Sequence, residues 1–128
     1  MSLALQQLAA GVCARTRVNC RVDCPQPVLV RDNVVATHLY RIAQEAVNNA
    51  VKHSRAGSIL IELKTHHNRI ELKVSDDGIG FPRSRNPAGG MGLHILNYRA
   101  RAIGGTLTIE RAPRHGTIVS CSAPQPSA

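Results

Sequence analysis

Residues 76–93 read DDGIGFPRSRNPAGGMGL. A carboxylate pair, Asp76 and Asp77, leads into Gly78 and Gly80, and after a short polar stretch Gly89, Gly90 and Gly92 precede a helical pattern. Glycine lets a backbone take positive φ and come close to another group, so two glycine clusters flanking a loop point to a bound ligand. Unpaired N–H groups at the start of the following helix, exposed by Gly90 and Gly92, suit phosphate oxygens. A second constellation lies in RIAQEAVNNAVKHS, residues 41–54. At about 100° per residue, Arg41, Glu45, Asn48, Asn49 and Lys52 fall within one arc of about 100°, and His38 extends the same side. Solvated helix stripes are usually built from Lys, Glu, Arg and Gln, whereas adjacent asparagines in mid-helix are poor for stability. Carboxylate, amide oxygen and ammonium on one face form a set suited to Mg²⁺ and phosphate. A plain solvated stripe is the competing reading of the spacing alone.

The elements that position these groups follow from pattern and punctuation. Residues 3–14 have helical spacing, with Leu3, Leu5, Leu8 and Ala9 apolar. Residues 16–23 alternate like a strand. Asp32 or Asn33 can cap a long helix that runs to about Ser54. Residues 58–65 and 69–76 read as a hairpin around HHNR. Residues 92–103 read as a helix stopped by Gly104 and Gly105, and residues 106–111 and 116–123 as two further strands. Two hairpin-like pairs argue against a wholly parallel doubly wound sheet. The expected class is α/β: a two-layer sandwich with a mixed, mostly antiparallel sheet and helices packed on one face. Residues 1–128 are read as one domain, in which 1–15 are the tail of a linker helix and 124–128 fray.

Composition narrows the function. Sixteen Lys and Arg against eight Asp and Glu give a formal net charge of +8, which favours anionic partners. The charge is spread out, and two Tyr and one Phe are few for base stacking, so no nucleic-acid partner is expected. The four cysteines, Cys13, Cys20, Cys24 and Cys121, form no CxxC pair and read as buried or half-buried free thiols in a reducing compartment. With no long apolar run, a cytoplasmic domain without membrane contact is expected, though a parent protein could be membrane-anchored. No GxxxxGK[ST] phosphate loop is present.

Four stretches together carry a resemblance. QEAVNNAVKH resembles the N box of the histidine-kinase ATPase domain, of the wider GHKL or Bergerat class shared with gyrase, Hsp90 and MutL-type ATPases. DDGIGF resembles its G1 box, GGMGL its G2 box and GTIVS its late GT element, all in the family's order. The short stretch between G1 and G2, the QEAxNNAxKH form and the ending LNYRARAIGGTLTIERAPRHGT look most like sensor kinases paired with LuxR/NarL-type response regulators.

The resemblance implies a Bergerat ATP-binding fold that binds Mg²⁺-ATP and donates the γ-phosphate to a histidine. Asp76 matches the aspartate that accepts a hydrogen bond from the adenine amino group, and Thr117 the threonine that supports it. Gly78 and Gly80 match positions passing close to the base, and Asp77 a variable, solvent-facing one. Asn49 matches the Mg²⁺ ligand, with Asn48 assisting, and Lys52 a basic phosphate-contacting position. His53 matches a nucleotide-contacting position; a helix-end histidine without a ligand role is its alternative. Glu45 matches a position held by a carboxylate in many relatives, where it could orient water, Mg²⁺ or the acceptor histidine. Gly90, Gly92 and Leu93 match the phosphate end of the pocket. The stretch between G1 and G2 matches a lid that can close over the nucleotide, and Phe81 is expected to pack its base. Arg83 and Arg85 would meet phosphates or an acidic partner, or serve only solubility.

The family's phosphoacceptor histidine is usually followed by Asp or Glu, whereas the residues after the six histidines here are Leu, Ser, His, Asn, Ile and Gly. The acceptor is therefore expected on a separate dimerisation module, with a LuxR/NarL-type regulator engaged through the full-length kinase and the isolated domain monomeric. Two alternatives are a gyrase- or chaperone-type ATPase and a non-catalytic nucleotide-sensing or protein-interaction module of the same fold.

Overall fold

A computed structural model describes residues 1–24, 30, 32–52, 55–78, 93–113 and 115–125. Its elements are α1 (Ser2–Arg15), β1 (Asn19–Asp23), α2 (Asn33–Lys52), β2 (Ser58–His66), β3 (Arg69–Asp76), α3 (Leu93–Ala102), β4 (Thr106–Arg111) and β5 (Thr117–Pro124). The five strands form one sheet in the order β1-β2-β3-β5-β4. β1 runs parallel to β2, as the intervening α2 crossover allows, and every other pairing is antiparallel. The mixed, mostly antiparallel sandwich expected from the sequence is the observed architecture.

Alternation decides which sheet face is covered. Ile59, Ile61 and Leu63 on β2, Ile70, Leu72 and Val74 on β3, and Val119, Cys121 and Ala123 on β5 are buried beneath the helices. The intervening Glu62, Lys64, Glu71 and Lys73 point to the other face, where Lys64 pairs with Glu71 at 3.6 Å. Both partners are largely exposed, so the pair adds little stability. α2 contributes Leu39, Ile42, Ala43, Ala46, Val47 and Ala50 to the core, and α3 contributes Leu96 and Ala100. Truncating Leu39, which is fully buried, to Ala would cost about 2–5 kcal/mol.

Local chemistry explains the boundaries. The Asp32 carboxylate accepts hydrogen bonds from the Val34 and Val35 N–H groups at 2.8 and 3.4 Å, capping α2. α3 ends in a Schellman turn: Gly104 has φ +69°, and the Gly105 and Gly104 N–H groups donate to the Ala100 and Arg101 carbonyls. His67 and Asn68, both at positive φ, make the two-residue turn that pairs His66 with Arg69.

Some expectations differ in detail. The first strand begins at Asn19, not residue 16, because the Thr16 hydroxyl and N–H both turn back to the Val12 carbonyl and end α1 there. α1 packs on β1 with Leu5, Leu8, Ala9 and Val12, while Leu3 is 68% exposed. Cys13 is exposed rather than buried: its sulfur lies beside the Cys20 N–H and C=O at 3.4 and 3.5 Å. Cys20 and Cys121 are buried, and burial raises both thiols to about 11. Among the described residues, no helix is long and apolar enough to cross a membrane.

Candidate functional site

β3 and β5 are neighbours, and their alternation turns Asp76 and Thr117 to the helix-covered face, two residues beyond Val74 and two before Val119. The Asp76 carboxylate accepts the Gly78 N–H at 2.9 Å and also the backbone N–H of Thr117. Its pKa is raised: loss of solvent on burial outweighs these two donors, and the neighbouring Asp77 charge adds to the rise. Thr117 is 3% exposed, and its hydroxyl oxygen is buried with no hydrogen-bond partner among the described residues. A buried hydroxyl without a partner is costly, and one beside a half-buried carboxylate fits a ligand that supplies both a donor and an acceptor edge, as adenine does.

Gly116 explains how the two strands come so close. Its φ is +104°, and a Cβ there would lie 1.9 Å from the Asp76 carbonyl oxygen, so no side chain fits. The GT pair therefore combines a contact only glycine permits with a threonine whose backbone N–H donates to the carboxylate.

On α2, Glu45, Asn48 and Asn49 are half-buried, and Arg41 and Lys52 are exposed. Arg41 donates to the Gln44 side-chain oxygen at 2.9 Å. α2 packs against β2, β3 and β5, and its Asn48–Asn49 stretch is partly covered. His38, on the same side of α2 as this stripe, is engaged by α3. Its ring meets Tyr98 edge-on at 6.4 Å, and its Nδ1 lies 3.3 Å from an Arg99 nitrogen, so it fastens α2 to α3. Among the described residues, no three His, Cys, Asp or Glu side chains gather as a metal cluster.

Asp77 is solvent-exposed, as expected, yet it is not idle. Its Oδ1 accepts the Gly57 and Ser58 N–H groups at 2.8 and 2.9 Å. These backbone donors, Ser58 foremost, hold its pKa below the usual carboxylate range, with a contribution from His115. The His115 Nδ1 donates to the Asp77 carbonyl oxygen at 2.7 Å. Sequence reasoning missed Gly116, His115 and the work of Asp77. Only Gly116 carried a signal, as the glycine opening the GT element. His53, Gly80, Phe81, Arg83, Arg85, Gly90 and Gly92 lie outside the described residues, and Leu93 is described only as the first residue of α3.

Comparison with known proteins follows the same lines. The family described as histidine kinase-, DNA gyrase B- and HSP90-like ATPase matches residues 34–127. The chain is 39% identical over 94 residues to the oxygen sensor histidine kinase NreB of Staphylococcus carnosus, covering 73% of this chain and 27% of that protein. It is 35% identical over 120 residues to the nitrate/nitrite sensor protein NarQ of Escherichia coli, covering 93% of this chain and 21% of that one. The chain thus spans about a quarter of the length of such relatives. The ATP-binding domain of PrrB from Mycobacterium tuberculosis superposes with a TM-score of 0.80 at 22% identity, covering 98% of this chain and 94% of that one.

Proposed function

Because the chain belongs to the histidine kinase-, DNA gyrase B- and HSP90-like ATPase family, we propose that it binds Mg²⁺-ATP and presents the γ-phosphate to a histidine on a separate dimerisation module. The observation that carries this reading is the pairing of the half-buried Asp76 carboxylate with the buried, unpartnered Thr117 hydroxyl at the ends of two adjacent strands. An adenine amino group donates to Asp76, and Thr117 meets the adjoining edge. A guanine oxygen facing Asp76 would leave the carboxylate without its donor, which sets base preference. The Gly78 and Thr117 N–H groups fix the direction of the carboxylate before the base arrives.

Asn49 supplies the amide oxygen that would hold Mg²⁺, with Asn48 beside it. Bound there, the ion would neutralise phosphate charge. Lys52, exposed at the end of α2, reaches toward phosphate, and His53 contacts the nucleotide. Glu45, one turn before Asn49, orients the attacking group. Gly78 and Gly80 shape the base pocket, and Gly90, Gly92 and Leu93 the phosphate end. Rate enhancement in such a site comes from positioning and charge stabilisation.

The partners are a histidine-bearing dimerisation module and, through the whole kinase, a LuxR/NarL-type response regulator; residues 1–15 would be the tail of the helix leading in from that module. The domain would work in the cytoplasm. Mixing it with a separately produced histidine module and labelled ATP tests the reading. Acid-labile phosphohistidine on the module is expected. Nucleotide binding without any transfer would favour a non-catalytic nucleotide-sensing module instead.

A further inference from the structure

Asp77 joins three segments that are distant in sequence. Its carboxylate takes the Gly57 and Ser58 N–H groups where the α2–β2 connection enters the sheet. Its own N–H donates to the Ser58 carbonyl at 3.3 Å. Its carbonyl accepts from the His115 Nδ1 at 2.7 Å, in the turn between β4 and β5. The Gly57 carbonyl in turn accepts the Asn19 N–H at 3.0 Å, which extends the tie to β1. The residues on either side of this junction are Asp76 and Gly78 on one strand end and Gly116 and Thr117 on the other. Asp76, Gly78 and Thr117 are the groups that the preceding reading places at the base pocket.

We propose that Asp77 and His115 are positioning residues for base recognition: together they clamp the end of β3 to the β4–β5 turn and to the start of β2, so that the Asp76 carboxylate and the Thr117 hydroxyl keep the spacing an adenine edge requires. The inference rests on the adenine reading and adds to it the residues that set its specificity. The chemistry of each contact is defined. A ring nitrogen facing a carbonyl oxygen must carry hydrogen, so His115 acts as an Nδ1–H donor in its neutral or its charged form. Both amides converge on one oxygen of Asp77, so a side-chain amide at that position could replace the carboxylate. The Nδ2 of an asparagine occupies about the same reach as a histidine Nδ1, so Asn can also stand in for His115.

His115 is exposed and holds the Asp77 carbonyl oxygen through one ring nitrogen, so its loss should leave the chain folded while loosening the strand end that carries Asp76. The experiment compares ADP with inosine diphosphate, which lacks the amino donor, by calorimetric titration of the 128-residue chain. Removing one clamping hydrogen bond should weaken ADP binding by about three- to tenfold. His115→Phe should show that loss and leave inosine diphosphate unchanged, so the affinity ratio shrinks. His115→Asn should restore the ratio. Asp77→Ala should shrink the ratio as well, and Asp77→Asn should retain it. A merely structural role would weaken both nucleotides equally, and an unchanged ratio in His115→Phe and Asp77→Ala would overturn the clamp. Asp76→Asn separates the two ideas. Discrimination that Asp76→Asn abolishes but the clamp variants leave intact overturns the clamp alone. A wild-type chain that binds both nucleotides equally overturns the adenine pocket and the clamp with it.

Discussion

Replacing Asp76 by Asn changes one atom and should separate recognition from folding. In the wild-type chain the carboxylate already accepts the Gly78 N–H at 2.9 Å and the Thr117 N–H, and still has acceptor capacity for an incoming amino group. Asparagine has one acceptor oxygen. If that oxygen keeps its backbone donors, the amide nitrogen faces the adenine amino group, donor against donor. A hydrogen bond to a charged partner contributes about 1.5–3 kcal/mol, which corresponds to an affinity loss of about 10- to 150-fold. The sign of the pH dependence is fixed by the same group. Burial raises the Asp76 pKa, so in the empty domain its contribution to stability is present below the unfolded-state value and is lost as pH rises through the folded-state value. An adenine donor favours the ionised form, so ADP affinity should rise with pH across that same interval, between the unfolded-state and folded-state values. Asp77, whose pKa is lowered, is already ionised there and does not contribute to this slope. Calorimetric titration with ADP at a series of acidic pH values, for both chains, reads all of this. An ADP affinity for Asp76→Asn within about threefold of wild type, or a wild-type affinity flat across the interval, would refute the reasoning.

Three further substitutions test the surrounding geometry. Thr117→Val removes a buried hydroxyl that has no partner among the described residues; the empty domain should gain about 1 kcal/mol and melt several degrees higher, while ADP binding weakens. Gly116→Ala places a Cβ against the Asp76 carbonyl at a φ of +104°; a cost of about 3 kcal/mol or more should lower the melting temperature by about 10 °C and abolish binding, which a melting curve and one titration would read. Asn49→Ala should remove the Mg²⁺ dependence of nucleotide binding; titrations with and without Mg²⁺ that still differ in this variant would contradict the ligand assignment.

Much of the molecule was legible in the linear chain because its causes are local. Alternation in residues 58–65 and 69–76 names the buried faces of β2 and β3, because the side-chain period of a strand is two. The long helix reads from its apolar stripe and from an Asp that can cap it, and the end of α3 from two glycines, one of which alone takes the positive φ the turn requires. The carboxylate and glycine motifs announce a ligand site because their residue types are poor choices for stability alone.

What only the tertiary structure decided are contacts between segments far apart in the chain. Placing β5 between β3 and β4, and β1 parallel beside β2, depends on which faces bury one another, and no local pattern states that. Helical spacing puts His38 on the polar side of α2, but only the fold brings Tyr98 and Arg99 of α3 against it. Asp77 looked like a spare surface charge beside the residue that matters. Its partners, Gly57, Ser58 and His115, lie 20, 19 and 38 residues away, and a hydrogen bond across such a distance leaves no periodicity behind. The sequence by itself determined the chemistry the site offers, because chemistry resides in residue types. The folded chain determined which of those groups share one set of coordinates, because that depends on the single packing in which every buried face finds its complement.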